Sequence, residues 1–241
     1  SLDKAIMIQF GSLALDGSPR IAVPFRDGND SASIARAVAL GMHIAELRID
    51  QFANRDAENV LVEIEKFRAV PVLATIRSAA EGGKWKDNDA ARLDLYTTIL
   101  PRVDAVDVEL SSKSIVADVV AAAHALHKPI VLSSHDFVRT PPLEVLNSIA
   151  HDARAAGADI VKVAAICNSQ DDVRTLTRFT LDHADKGVVV IGMGPVGITT
   201  RVLLPALGSL FTFAAYGEGT APGQLQLEDM APIFATLYPV L

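Results

Sequence analysis

The chain has 241 residues, half of them hydrophobic, with a formal net charge of −7 and an isoelectric point near 5.3. Its 22 basic residues are spread along the chain rather than clustered, which argues against a nucleic-acid or anionic-membrane surface and leaves a small soluble ligand as the expected partner. The single cysteine, Cys167, excludes an intramolecular disulfide and a cysteine-built zinc site and fits a reducing, cytoplasmic compartment.

The first ten residues, SLDKAIMIQF, have neither the basic start nor the long apolar centre of a secretory signal. Their AIMIQF stretch reads as an extra β-segment ahead of the first full strand. Short β-branched runs then recur as predicted strands at 21–25, 43–49, 71–77, 104–110, 129–134, 159–164, 187–192 and 211–216. Helix-period segments alternate with them near 31–40, 55–68, 88–100, 113–127, 141–156, 169–184, 196–207 and 226–238. Ser31, Ser169 and the pair Pro141, Pro142 stand where caps and first-turn prolines belong, and Gly41 and Gly157 follow helix ends. The uncharged runs 187–200 and 202–217 are interrupted by prolines, glycines and Arg201 below spanning length, so no transmembrane segment is expected.

This alternation, without a linker, predicts an α/β fold: one single-domain (β/α)8 TIM barrel over residues 1–241, its bottom closed by the N-terminal β-segment. A doubly wound open sheet is the alternative. In such a barrel a ligand lies at the C-terminal ends of the strands, and polar residues collect there: Glu46 and Arg48 on strand two, Arg77 after strand three with Glu81 on the next loop, Asp107 and Glu109 on strand four. His135 ends strand five, Lys162 sits in strand six, Arg201 follows strand seven and Gln224 follows strand eight. Each has a plainer reading: a buried Arg–Glu pair can serve the scaffold, a strand-end histidine can be a hydrogen-bonded one, and a lysine can snorkel to water.

Lys162 is the anomaly, a cation inside DIVKVAAIC. It shares a face with Ile160 and Ala164, and if that face points into the barrel its stem cannot escape sideways. Burial and neighbouring arginines would then favour the neutral amine, whose natural use is Schiff-base chemistry on a ketone. Two other motifs carry less. GMGPVG (192–197) matches G-x-G-x-x-G but lies too late in the chain for a dinucleotide half-fold, and His124 with His127, spaced for one helix face, has no third ligand nearby.

The segments ELRID, IRSAAEGG, SSHDF, VKVA, MGPVGITTR and GTAPGQ, in that order across nearly the whole chain, resemble the type I 3-dehydroquinate dehydratases, lysine-dependent lyases of the shikimate pathway. The resemblance implies that Lys162 forms an imine with the ketone of 3-dehydroquinate, that His135 is the general acid/base, and that Glu81 pairs with or orients it. It further implies that Glu46, Arg48 and Arg77 bind ring hydroxyls, that Arg201 takes the carboxylate, and that Thr220 and Gln224 belong to a closing loop. Thr220 and Thr200 stand where serine is more usual in the family. No metal, flavin or nicotinamide is expected, and a homodimer is the expected assembly because symmetric dimers are the commonest soluble oligomers. A Schiff-base aldolase on the same barrel and a non-catalytic ligand-binding barrel are the alternatives.

Overall fold

The computed structural model describes residues 7–217 and 224–239. A hairpin opens it: β1 (Ile8–Phe10) pairs antiparallel with β2 (Leu13–Leu15). Then come β3 (Ile21–Phe25), α1 (Ser31–Leu40), β4 (Ile44–Arg48), α2 (Ala57–Glu65), β5 (Val72–Thr75), α3 (Asp89–Ile99), β6 (Ala105–Glu109), α4 (Val116–Ala125), β7 (Ile130–Asp136) and α5 (Leu143–Ala155). They are followed by β8 (Ile160–Ile166), α6 (Gln170–His183), β9 (Val188–Met193), α7 (Gly194–Gly197), α8 (Thr200–Leu203), β10 (Thr212–Phe213) and α9 (Leu227–Leu237). The eight strands from β3 to β10 form one parallel sheet in the order β10-β3-β4-β5-β6-β7-β8-β9. The Leu210 N–H donates to the Val188 carbonyl at 2.8 Å across the remaining seam, so the barrel is nearly closed.

Period two divides each strand between two cores. One face packs outward against the helices, with residues such as Val23, Leu47, Val106 and Val163. The other points inward, and its first position on successive strands is apolar: Ala22, Ile44, Leu73, Ala105, Val131, Ile160, Val189 and, just ahead of β10, Phe211. Phe10 and Leu15 of the hairpin, both buried, pack onto this tier, with the Phe10 and Phe211 rings 6.1 Å apart. The N-terminal β-segment therefore plugs the barrel bottom as expected. The chain's apolar half is thus spent on the floor and the outer layer, and polar side chains are free to occupy the upper tiers.

Several local expectations need correcting. The cap of α1 is Asp30, whose side chain accepts from the Ser33 N–H at 2.7 Å, and Ser31 is instead the first helical residue. Ser169 does cap α6, in a reciprocal box with Asp172. The predicted helix over 196–207 is broken into α7, α8 and a 3₁₀ turn Leu204–Leu207, because Pro205 cannot donate to the preceding turn and the Thr200 hydroxyl bonds the Gly197 carbonyl. α4 stops at Ala125, so His127 lies beyond it at φ 55°, and His124 pairs with Asp159 at 2.9 Å. The two histidines do not share a helix face. No helix among the described residues is long and apolar enough to cross a membrane.

Candidate active site

Above the apolar floor the next inward positions are Glu46, Thr75, Asp107, Ser133 and Lys162, and above those come Arg48, Arg77, Glu109 and His135. Register brings them side by side: Thr75 pairs with Asp107, Ser133 with Lys162, and His135 with Ala164. Lys162 is only 5 % exposed, and its Nζ lies 3.0 Å from Asp107 Oδ2, 4.0 Å from Glu46 Oε1 and 4.6 Å from the centre of the Phe213 ring. The stem does not snorkel out of the barrel. Its immediate neighbours are carboxylates, however, and not the arginines expected from sequence. Arg77 stands on the far side of Asp107.

Asp107 is the hub of that arrangement. Its Oδ1 meets Arg77 Nη2 at 2.9 Å and accepts from the Ser133 hydroxyl at 2.6 Å, while Oδ2 takes Lys162. Burial alone would raise the Asp107 carboxyl, but Arg77 and Lys162 outweigh it and hold it far below the usual carboxylate range. Glu109 accepts from Arg77 Nη1 at 3.1 Å, Arg92 Nη1 at 2.9 Å, the Ser78 N–H at 2.9 Å and the Ser112 hydroxyl at 2.7 Å. Thr75 donates to Glu46 at 2.8 Å, and Asp50 holds Arg48 through two bonds of 2.9 Å. Both Nη atoms of Arg77 are thus engaged, so it reaches a ligand only with its remaining hydrogens.

His135 and Glu81 form a second unit. Glu81 ends the 3₁₀ turn Ala79–Glu81, which the Ser78 hydroxyl caps and Gly82 closes at φ 78°. A side chain at Gly83 would put its Cβ 2.0 Å from the Arg77 carbonyl oxygen, so only glycine lets this loop fold back onto the strand end. Glu81 Oε2 accepts from the His135 backbone N–H at 3.0 Å and lies 2.8 Å from Nδ1. A carboxylate at Nδ1 requires a proton there, which leaves the Nε2 lone pair free in the neutral ring. Burial, then Arg77 and Lys162, push the His135 pKa well below its ordinary 6.5, and burial pushes the Glu81 carboxyl up.

An imidazole whose folded pKa is depressed stays neutral, and able to accept a proton, as pH falls below 6.5. With His135 as the base of a reaction at this site, the acid limb of kcat/KM would lie below pH 6.5, and a pH–rate profile losing activity through an unperturbed imidazole pKa would rule out that role.

Arg201, on α8, is 2 % exposed and has no carboxylate partner among the described residues. Its Nε is without a hydrogen-bond partner, and among the described residues its Nη1 reaches the Phe213 carbonyl at 3.4 Å. Burial lowers its pKa to about 10. A desolvated guanidinium of this kind is a ready receptor for an anion. The Thr200 hydroxyl beside it accepts from the Gly192 N–H at 2.9 Å and donates to Gly197 O at 2.6 Å, while a Cβ at Gly192 would come within 2.9 Å of the Thr200 methyl. The glycines of GMGPVG thus serve the close packing of strand end on helix.

One cavity of about 140 Å³ is lined by Glu46, Arg48, Arg77, Glu81, His135, Lys162, Arg201 and Gln224, with Ile191, Met193 and Phe213 as apolar wall. Thr220 lies outside the described residues. A larger cavity of about 770 Å³, against α1 and α9 at the other end of the barrel, contains none of these residues. Asp107 and Glu109 were visible in the sequence as carboxylates on strand four but had no assigned role; Ser133, Thr75, Asp50 and Arg92 were not singled out. For Ser133, Thr75 and Asp50 the signal was faint, a hydroxyl or a carboxylate two residues from a recognised one, and Arg92, on α3, carried no such signal. Together the lining supplies an amine for carbonyl addition, an imidazole for proton transfer and a cation for an anionic group.

The sequence model of the type I 3-dehydroquinase family matches residues 21–239. The 3-dehydroquinate dehydratase of Methanosarcina barkeri is 37 % identical over 96 % of this chain and all of that protein. The crystal structure of the Aquifex aeolicus 3-dehydroquinate dehydratase superposes with a TM-score of 0.83 at 30 % identity, covering 92 % of this chain and 100 % of that one. That of the Clostridium difficile type I enzyme with covalently modified comenic acid gives 0.85 at 26 % identity, covering 98 % of both chains. With the barrel, the upper-tier polar ring and these likenesses in agreement, the chain belongs to the type I 3-dehydroquinase family, a family of dehydratases.

Proposed function

We propose that this protein dehydrates 3-dehydroquinate to 3-dehydroshikimate through an imine on Lys162, by loss of hydrogen and hydroxyl from one face of the ring. The observation that carries the reading is the convergence on one cavity of Lys162, His135 and Arg201, a buried guanidinium with no carboxylate partner among the described residues. The α-proton of a ketone is too weakly acidic for an imidazole, and a protonated imine supplies the missing electron sink. Nζ of Lys162 adds to the ketone carbon and water leaves, giving the iminium. His135 Nε2 removes the α-proton, and the electron pair passes to nitrogen as an enamine. The enamine expels the β-hydroxyl, which departs as water with the proton returned by the imidazolium. Hydrolysis of the conjugated iminium then releases the product and the amine.

The surroundings suit each stage. Asp107, kept ionised by Arg77 and Lys162, is a fixed counter-ion for the iminium. Glu81 stabilises the imidazolium and holds the ring. The ring carboxylate is placed on Arg201, and ring hydroxyls on Glu46, Arg48 and the remaining hydrogens of Arg77.

Incubation with 3-dehydroquinate, followed by the absorbance of the conjugated enone product, tests the activity. Failure to form that enone would reject the proposal. Arg201→Ala should raise KM about 10- to 100-fold, the loss expected for one charge-assisted contact, with a smaller effect on kcat. An unchanged KM in steady-state kinetics would remove Arg201 from carboxylate binding.

A further inference from the structure

Ser111 lies just past the end of β6, exposed, in a turn that no part of the chemistry above uses. Its backbone is nonetheless fixed from both sides. The Leu110 N–H donates to Ser133 O at 2.9 Å, the Lys113 N–H to Ser111 O at 2.8 Å, and the neighbouring Ser112 is buried with its hydroxyl on Glu109. From that anchored position the Ser111 hydroxyl donates to Glu81 Oε1, across thirty residues of chain. Oε2 of the same carboxylate is already occupied by both N–H groups of His135. Among the described residues, Ser111 is the hydrogen-bond donor to the other oxygen.

We infer that Ser111 is a positioning residue for the acid/base pair, latching Glu81 and its loop to the end of β6 so that the carboxylate keeps one orientation toward His135. A glutamate held by one oxygen alone can turn about its last torsion and swing about two more, and its loop carries two successive glycines, Gly82 and Gly83. Holding both oxygens from opposite sides removes that freedom. The donor also opposes the effect of burial on the Glu81 carboxyl and favours its ionised form, the form that accepts both His135 hydrogens. Nothing in this contact touches the amine or Arg201, so it bears on proton transfer and not on substrate capture.

This inference rests on the proposed acid/base role of His135, and its test separates the two. In Ser111→Ala, kcat should fall roughly tenfold with KM within twofold of the original, as expected for one lost charge-assisted bond felt only during proton transfer. The acid limb of kcat should move to higher pH, and Ser111→Thr, which keeps the hydroxyl, should restore both. In a Glu81→Ala background the same substitution should add nothing. Independently of turnover, carboxyl ¹³C NMR should show Glu81 protonating at higher pH in Ser111→Ala. A wild-type kcat and pH profile in Ser111→Ala, an equal loss in the Glu81→Ala background, or an unmoved Glu81 titration would overturn the inference. Absence of dehydration in the unaltered protein would instead defeat the proposed function, and the NMR titration would still decide the role of Ser111.

Discussion

Lys162→Ala should abolish dehydration, lowering kcat by at least about 10⁴-fold, the order of loss expected when a covalent nucleophile is removed. The residual rate should not respond to pH, since His135 faces a ketone α-proton with no electron sink to receive the pair. The variant should still fold: without the amine, Asp107 keeps Arg77 and Ser133, and Glu46 keeps Thr75. Steady-state kinetics alongside a circular dichroism melt would separate lost chemistry from lost structure. A variant that folds and retains a hundredth of the activity would move the chemistry to another group.

Asp107→Asn should have the largest effect on stability. The carboxylate is fully buried and faces Lys162 and Arg77 at once, so removing its charge leaves two desolvated cations in contact with a neutral amide. Breaking a buried pair in this way costs about 3–5 kcal/mol. For a chain of this size that corresponds to a fall in Tm of about 10 °C. The sign with pH is definite. A carboxyl whose folded pKa is depressed contributes stability above its unfolded pKa and loses it as pH falls through the folded value, which lies well below. The deficit should therefore be nearly constant across neutral pH and shrink only in strong acid. Thermal melts at several pH values would check this, and equal Tm values for the two proteins at pH 7 would contradict the hub role. Activity should fall as well, about 10²-fold, because the iminium loses its fixed counter-ion.

Much of this arrangement was legible in the chain itself because the barrel repeats a simple rule. Alternation of β-branched runs and helical periods located all eight strands, and period two put Asp107 with Glu109, and Lys162 with Ile160 and Ala164, on shared strand faces that the structure turns inward. Pairing across strands was not legible. Asp107 and Lys162 are 55 residues apart and Ser111 and Glu81 are 30, and no local pattern states which inward carboxylate will meet which cation. For that reason the neighbours of Lys162 were expected to be arginines, when Arg77 is in fact screened from it by Asp107. The lack of a carboxylate beside Arg201 among the described residues was equally hidden, since it depends on the surroundings of a side chain carried by a broken helix. That break is itself readable in hindsight from Pro205 and from a threonine able to bond back to its own turn.

The most direct test of the central claim is chemical. 3-Dehydroquinate should be added to the protein, the mixture reduced with borohydride, and the adduct located by peptide mass spectrometry. The mechanism predicts a single modified peptide carrying the reduced ring on Lys162, formed in the unaltered protein and missing in Lys162→Ala. Turnover without any adduct, or an adduct on a different lysine, would contradict it.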